Sequence, residues 1–176
     1  MKKFTYFILV LGMVLFSGKG YSQGWQKVEG RIQTTWAEQV QSDIPWPEYP
    51  RPQMKRENWM NLNGLWDYAI QPRNLESFPS RAEGKILVPF AIESALSGVG
   101  KQVGESNFLW YSRVFSIPAS FKNKTTLLHF GAVDWQCSVY VNGNLVGEHE
   151  GGYDPFAFDI SAFIKGRGQQ EIRVKV

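Results

Sequence analysis

Imidazole and thiol groups are scarce in this sequence. There are two histidines, His129 and His149, and one cysteine, Cys137. A single cysteine excludes an internal disulfide and a multi-cysteine zinc site. Cys137 lies in an alternating apolar stretch with no basic neighbour to lower its pKa, so it reads as an inert buried thiol. The histidines are not spaced as metal ligands. His129, between Leu128 and Phe130, reads as a strand-face histidine paired with a neighbour. His149, between Glu148 and Glu150 and before Gly151-Gly152, can orient a carboxylate or bind a metal; a loop hydrogen bond is the simpler reading. No Gly-x-Ser-x-Gly elbow is present, and Gly98-Val99-Gly100 lacks the following Lys-Ser/Thr and helix of a phosphate loop. Glu148 and Glu150 form a close carboxylate pair near a loop. Paired carboxylates suit glycoside hydrolysis, which needs an acid and a nucleophile or base flanking one bond. Charges that follow a hairpin are ordinarily just solvated, so the pair is not assigned to catalysis.

The aromatics are more informative. They make up 15% of the chain and include seven tryptophans. Trp and Tyr faces can stack on sugar rings while nearby polar groups fix hydroxyls. Trp110, Tyr111, Trp135 and Tyr153 offer such faces, against the alternative that large aromatics simply fill a core. Asp134-Trp135, after Gly131-Ala132-Val133, places an acid beside a ring at the start of a strand. Glu93-Ser94, in the loop after Pro89, does likewise. The candidate carbohydrate contacts are therefore Glu93, Asp134, Trp135, His149, Glu150 and Tyr153. No catalytic residue, metal ligand or cofactor site is assigned.

These residues must be held by short strands. Leu65 to Ile70, Lys85 to Val88, Phe108 to Ile117, Thr125 to Phe130, Gln136 to Val141, Leu145 to His149, Phe156 to Ile160 and Glu171 to Val176 all read as strands. Cys137, Val139 and Val141 share one face, as do Ile172, Val174 and Val176. Asn142-Gly143 is the strongest hairpin signal. Gly151-Gly152 breaks the returning strand, and one of the two is expected at positive φ. Helical turns are expected at Thr35 to Val40, opened by a Thr35–Glu38 capping box, and at Ser161 to Lys165. Pro45, Pro47, Pro50 and Pro52 predict an extended arm outside any sheet interior, with Trp46 and Tyr49 as packing points. The class is all-β, an antiparallel sandwich or barrel.

Residues 1–22 have a basic start, an apolar run from Phe4 to Phe16 and a small polar close, the order of a secretory signal cut between Ser22 and Gln23. The run is well short of the roughly 20 residues that span a bilayer. Without Lys2, Lys3 and Lys19 the 19 basic residues balance the 16 acidic ones. A domain without net charge has no field to draw it to nucleic acid or an anionic membrane. The expected organisation is 1–22 signal, 23–57 Pro-rich arm and 58–176 sandwich domain, in the periplasm or secreted. Val176 falls on an inward-facing strand position, which predicts a fragment whose sheet is left with an open edge.

NLNGLW (61–66), ILVPFAIESALSG (86–98), LWYSRVFSIP (109–118), LLHFGAVDWQCSVYVNGNLVGEHEGGYDPFAFDIS (127–161) and EIRVKV (171–176) follow in order. Upstream stand TTWAEQV and EYPRPQM. This series resembles the N-terminal sugar-binding domain of glycoside hydrolase family 2, the family of β-galactosidases, β-glucuronidases and β-mannosidases. The resemblance covers about residues 34–176. It implies a jelly-roll sandwich of the galactose-binding type, followed in the family by an immunoglobulin-like domain and a barrel that carries the two catalytic glutamates. It therefore implies a non-catalytic part of an exported β-glycosidase, whose partners are a β-linked glycan and its own downstream domains. A free-standing carbohydrate-binding module and a truncated remnant are the alternatives.

Overall fold

The computed structural model describes residues 24–47 and 57–176. The signal and the arm residues Tyr49, Pro50 and Pro52 fall outside them. Among the described residues eight strands run in chain order: β1 (Gly64–Pro72), β2 (Gly84–Val88), β3 (Asn107–Phe115), β4 (Leu127–Phe130), β5 (Gln136–Val141), β6 (Asn144–Glu150), β7 (Phe156–Asp159) and β8 (Gln170–Lys175). Every pairing is antiparallel. Six strands form one sheet in the order β2-β1-β3-β8-β5-β6, and β4 pairs with β7 in a second. The chain is all-β, as its alternation predicts.

The core lies between the sheets. Val139 and Val141 of β5, Ile172 of β8 and Ile86 of β2 are completely buried. Each such side chain contributes about 1.5–3 kcal/mol on leaving water. Trp66 and Tyr68 of β1, Leu109 of β3 and Val174 of β8 extend the same face, and Leu128 joins it from the second sheet. Phe156 and Phe158 of β7 pack against it. At the closest approach Gly147 of β6 meets Phe158; a Cβ there would lie 2.4 Å from Phe158 Cε1.

Asn142 and Gly143 both take positive φ, 52° and 85°, as the two-residue hairpin turn requires. The Asn142 side chain also ties the hairpin to its neighbours. Its Nδ2 donates to Phe163 O and Gln170 Oε1, both at 2.8 Å, and its Oδ1 accepts the Glu171 amide at 3.0 Å.

Two helical turns are shorter than expected. The first is a 3₁₀ turn, Thr35–Gln39, and no side chain caps it. Glu38 pairs instead with Lys27, because a charge-assisted bond to an ammonium outweighs a neutral cap. The second stops at Phe163, since the Lys165 amide donates to Gln170 Oε1 at 2.9 Å. Residues 24–31 lie over the loop that follows β2: Val28 N donates to Ala95 O at 2.9 Å and Arg31 Nη2 to Gly100 O at 2.7 Å.

Candidate functional site

The second sheet is narrower than the first and leaves part of the inner face uncovered. A cavity of about 940 Å³ opens there. Glu93, Asp134 and Trp135 all line it, together with Trp46, Trp59 and Tyr111. Three of the six carbohydrate candidates are thus brought to one space.

Glu93 is carried by a turn knitted by serine hydroxyls. Ser94 Oγ donates to Ala91 O at 2.7 Å and accepts the Ser97 amide at 3.3 Å. The single proton of buried Ser97 Oγ is shared between Ile92 O at 2.9 Å and Ser94 O at 2.8 Å. The Glu93 carboxylate stays exposed beside Tyr111. Burial first, and then the charge of Glu93, pushes the Tyr111 phenol far above its ordinary value. A raised phenol keeps its proton at neutral pH, so Tyr111 offers a neutral hydroxyl there.

Asp134 and Trp135 are braced from behind by the loop after β6. Gly151 takes φ +124°, and its amide donates to Trp135 O at 2.7 Å. Gly152 has an ordinary φ, so of the two glycines it is Gly151 that needs the left-handed region. Gly152 is required for space: a Cβ there would lie 2.6 Å from Asp134 Oδ1. Trp135 is left 60% exposed, a face free to stack.

The remaining candidates stand elsewhere. His149 points between the sheets. Its ring stacks on Phe156 at 3.9 Å and 16°, and Nε2 lies 3.2 Å from Gly151 O. It anchors the glycine loop and faces no solvent ligand. Glu150 lies on the outer face and accepts a bond from Gln136 Nε2 at 2.8 Å. Glu148, its partner in the carboxylate pair, accepts one from Ser138 Oγ at 2.8 Å. Each carboxylate answers its neighbouring strand, and the two do not flank the cavity. Tyr153, 92% exposed, stands on the loop beyond Gly152. Trp110 is 2% exposed, covered by Phe78 and Tyr140, and offers no face. Cys137 is buried and its thiol is pushed up to about 11 by burial. Among the described residues no group of three or more His, Cys, Asp or Glu side chains could hold a metal ion.

Trp46, expected as a packing point, is held by two asparagine side chains. Asn61 Nδ2 donates to Trp46 O and Asn63 Nδ2 to Pro45 O, each at 3.1 Å. The Asn61–Gly64 turn is itself fixed by Arg113, whose Nη1 donates to Leu62 O at 2.8 Å and Asn63 O at 2.9 Å. Two asparagines flanking a leucine, just before a strand, were the available signal.

Comparison with known proteins agrees with this architecture. The family model described as "Glycosyl hydrolases family 2, sugar binding domain" matches residues 85–176. A β-galactosidase of Thermoanaerobacter pseudethanolicus is 46% identical over 68 residues, covering 38% of this chain and 9% of that protein. A putative β-glucuronidase of Formosa agariphila is 40% identical over 137 residues, covering 76% of this chain and 16% of that protein. Among solved structures, the β-glucuronidase of Ruminococcus gnavus in complex with uronic deoxynojirimycin superposes with a TM-score of 0.57 at 28% identity. It covers 70% of this chain and 22% of that one. The chain thus spans less than a quarter of the length of these relatives. On sequence and fold together, the chain belongs to glycoside hydrolase family 2, through that family's sugar-binding domain.

Proposed function

We propose that this chain is the non-catalytic N-terminal part of an exported β-glycoside hydrolase, and that it supplies one wall of a sugar site. The observation that carries the reading is the convergence of Glu93, Asp134 and Trp135 on one cavity. An exposed indole face gives a sugar ring an apolar partner, and two carboxylates and a neutral phenol can hold its hydroxyls. Residues 1–22 act as a cleaved secretory signal, which puts the protein in the periplasm or outside the cell. The Pro-rich segment serves as an arm, and the two sheets are a jelly-roll sandwich.

Hydrolysis itself falls to other domains of the polypeptide, an immunoglobulin-like unit and a barrel. A retaining mechanism needs an acid and a nucleophile about 5–5.5 Å apart. No carboxylate pair in the cavity is assigned those roles. The wall binds and orients; it moves no proton.

The test is to incubate the purified chain with aryl β-galactosides, β-glucuronides and β-mannosides. No phenol release is expected, and tryptophan emission is expected to shift saturably, an effect lost in Trp135→Ala. Turnover by the purified chain overturns the non-catalytic assignment, and flat titrations overturn the sugar wall. A free-standing binding module is the second reading, favoured by the exposure of Tyr153 on the loop whose Gly151 amide holds Trp135 O. It predicts that Tyr153→Ala weakens binding as much as Trp135→Ala does.

A further inference from the structure

Trp46 is placed against the preference of its own backbone. Its φ is +55°, a region that a bulky side chain rarely enters. Such a conformation persists only where the surroundings impose it. Here two asparagine side chains clamp the carbonyls of Pro45 and Trp46, and half-buried Arg113 holds the turn that carries them. The ring so positioned is not buried: Trp46 remains 50% exposed, 6.4 Å from the ring of Phe90. A core residue gains burial in return for strain, and this one does not. Both rings line the cavity.

Strand register locates this pair. Gly64 is opposite Val88 at one end of β1, and Pro72 is opposite Asn107 at the other. Trp46 is tied to the residues just before Gly64, and Phe90 follows Val88. Trp135 belongs to the far end. It comes three residues before Ser138, which is opposite Lys175, itself opposite Trp110. Glu93 and Tyr111 lie between, since Tyr111 is opposite Tyr68 in mid-strand. A nine-residue strand is roughly 30 Å long, several times the width of a sugar ring. The cavity therefore carries Trp46 toward one end and Trp135 toward the other, with the Tyr111 phenol between them.

We propose that Trp46, backed by Phe90, is a second aromatic platform, and that the cavity takes an extended oligosaccharide rather than a single sugar residue. This rests on the sugar-wall reading above. Trp135 receives one end of the ligand, Glu93 and the Tyr111 hydroxyl meet the middle, and Trp46 receives the other end.

The experiment is calorimetric titration of the full chain with disaccharides and pentasaccharides. The probes are β-1,4-linked galacto-, gluco-, manno- and xylo-oligosaccharides and oligogalacturonate. For the series that binds, the pentasaccharide is expected to bind about tenfold tighter than the disaccharide. Trp46→Gly removes that gain, bringing the pentasaccharide affinity down to the disaccharide level. It also keeps or raises the melting temperature, because glycine accepts the positive φ. Trp46→Phe retains most of the gain. Equal affinity for the two lengths, or pentasaccharide affinity unmoved by Trp46→Gly, overturns the platform. A fall in melting temperature on Trp46→Gly makes the ring a packing residue and overturns it too. Trp135→Ala reports separately on the disaccharide contact. Loss there with an inert Trp46 leaves the sugar wall standing, and no binding by any series overturns both.

Discussion

Gly147→Ala tests the contact that joins the two sheets. Gly147 sits on the inner face of β6, directly against Phe158 of β7. The added Cβ would lie 2.4, 2.8 and 2.9 Å from Cε1, Cδ1 and Cζ of that ring. Carbon atoms in contact prefer roughly 3.5–4.0 Å, so the ring must retreat by about 1 Å. It has little room to do so. Phe156 stands edge-on to it at 5.5 Å, and Phe156 is itself stacked on Phe130 at 4.8 Å and on His149 at 3.9 Å. Overpacking of this kind costs about 1–3 kcal/mol. For a domain of this size each kcal/mol lowers the melting temperature by about 2–4 °C. Gly147→Ala is therefore expected to melt about 2–12 °C below the parent by circular dichroism or calorimetry. Phe158→Leu also destabilises, through lost packing, yet the double variant should be more stable than the sum of the two costs, with a coupling of about 1 kcal/mol. A Gly147→Ala protein that melts with the parent, or two costs that simply add, would refute the reasoning that places this glycine under the ring.

Asn142→Ala loses three hydrogen bonds and the left-handed preference of the turn; about 2–4 kcal/mol is expected in chemical denaturation, and Asn142→Gly should recover part of it. Cys137, buried and with its thiol pushed up to about 11, should resist a thiol reagent at pH 8 in the folded chain and react at once in denaturant. Glu83 bears on acid stability. Burial raises its pKa, but hydrogen bonds from Lys101 and the Ile70 amide, with the Lys101 charge, outweigh that and hold it below the ordinary carboxylate value. Its stabilisation is present above the unfolded carboxylate pKa, about 4.3, and is lost as pH falls through the lower folded value. Glu83→Gln should flatten the acid limb of a stability–pH profile and leave the slope above pH 6 unchanged.

The strands were legible because alternation was clean. Cys137, Val139 and Val141 face inward as read, and so do Ile172 and Val174. Strand ends were harder, because local hydrogen bonds set them. β4 begins only at Leu127, since the Thr126 amide is taken by Ser161 Oγ at 2.9 Å, a partner far away in sequence. The capping box failed for the same reason: Lys27, outside the local window, captured Glu38. Part of the site was legible where an acid and a ring were adjacent, at Asp134-Trp135, and where a carboxylate sat in a serine turn, at Glu93. His149 and Glu150 look equivalent in sequence, but strand alternation sends one between the sheets and the other outward. The role of Trp46 was not legible, because its placement depends on an asparagine 15 residues from it and on another 18 residues from Pro45.

The most direct test of the sugar wall is a heteronuclear NMR titration of the chain with the same oligosaccharides. Saturable shifts are expected, centred on the Glu93 and Asp134 amides and the Trp135 indole, with the outer-face residues Glu148 and Glu150 unmoved. Shifts centred on the outer face instead, or none with any of the sugars, would contradict it.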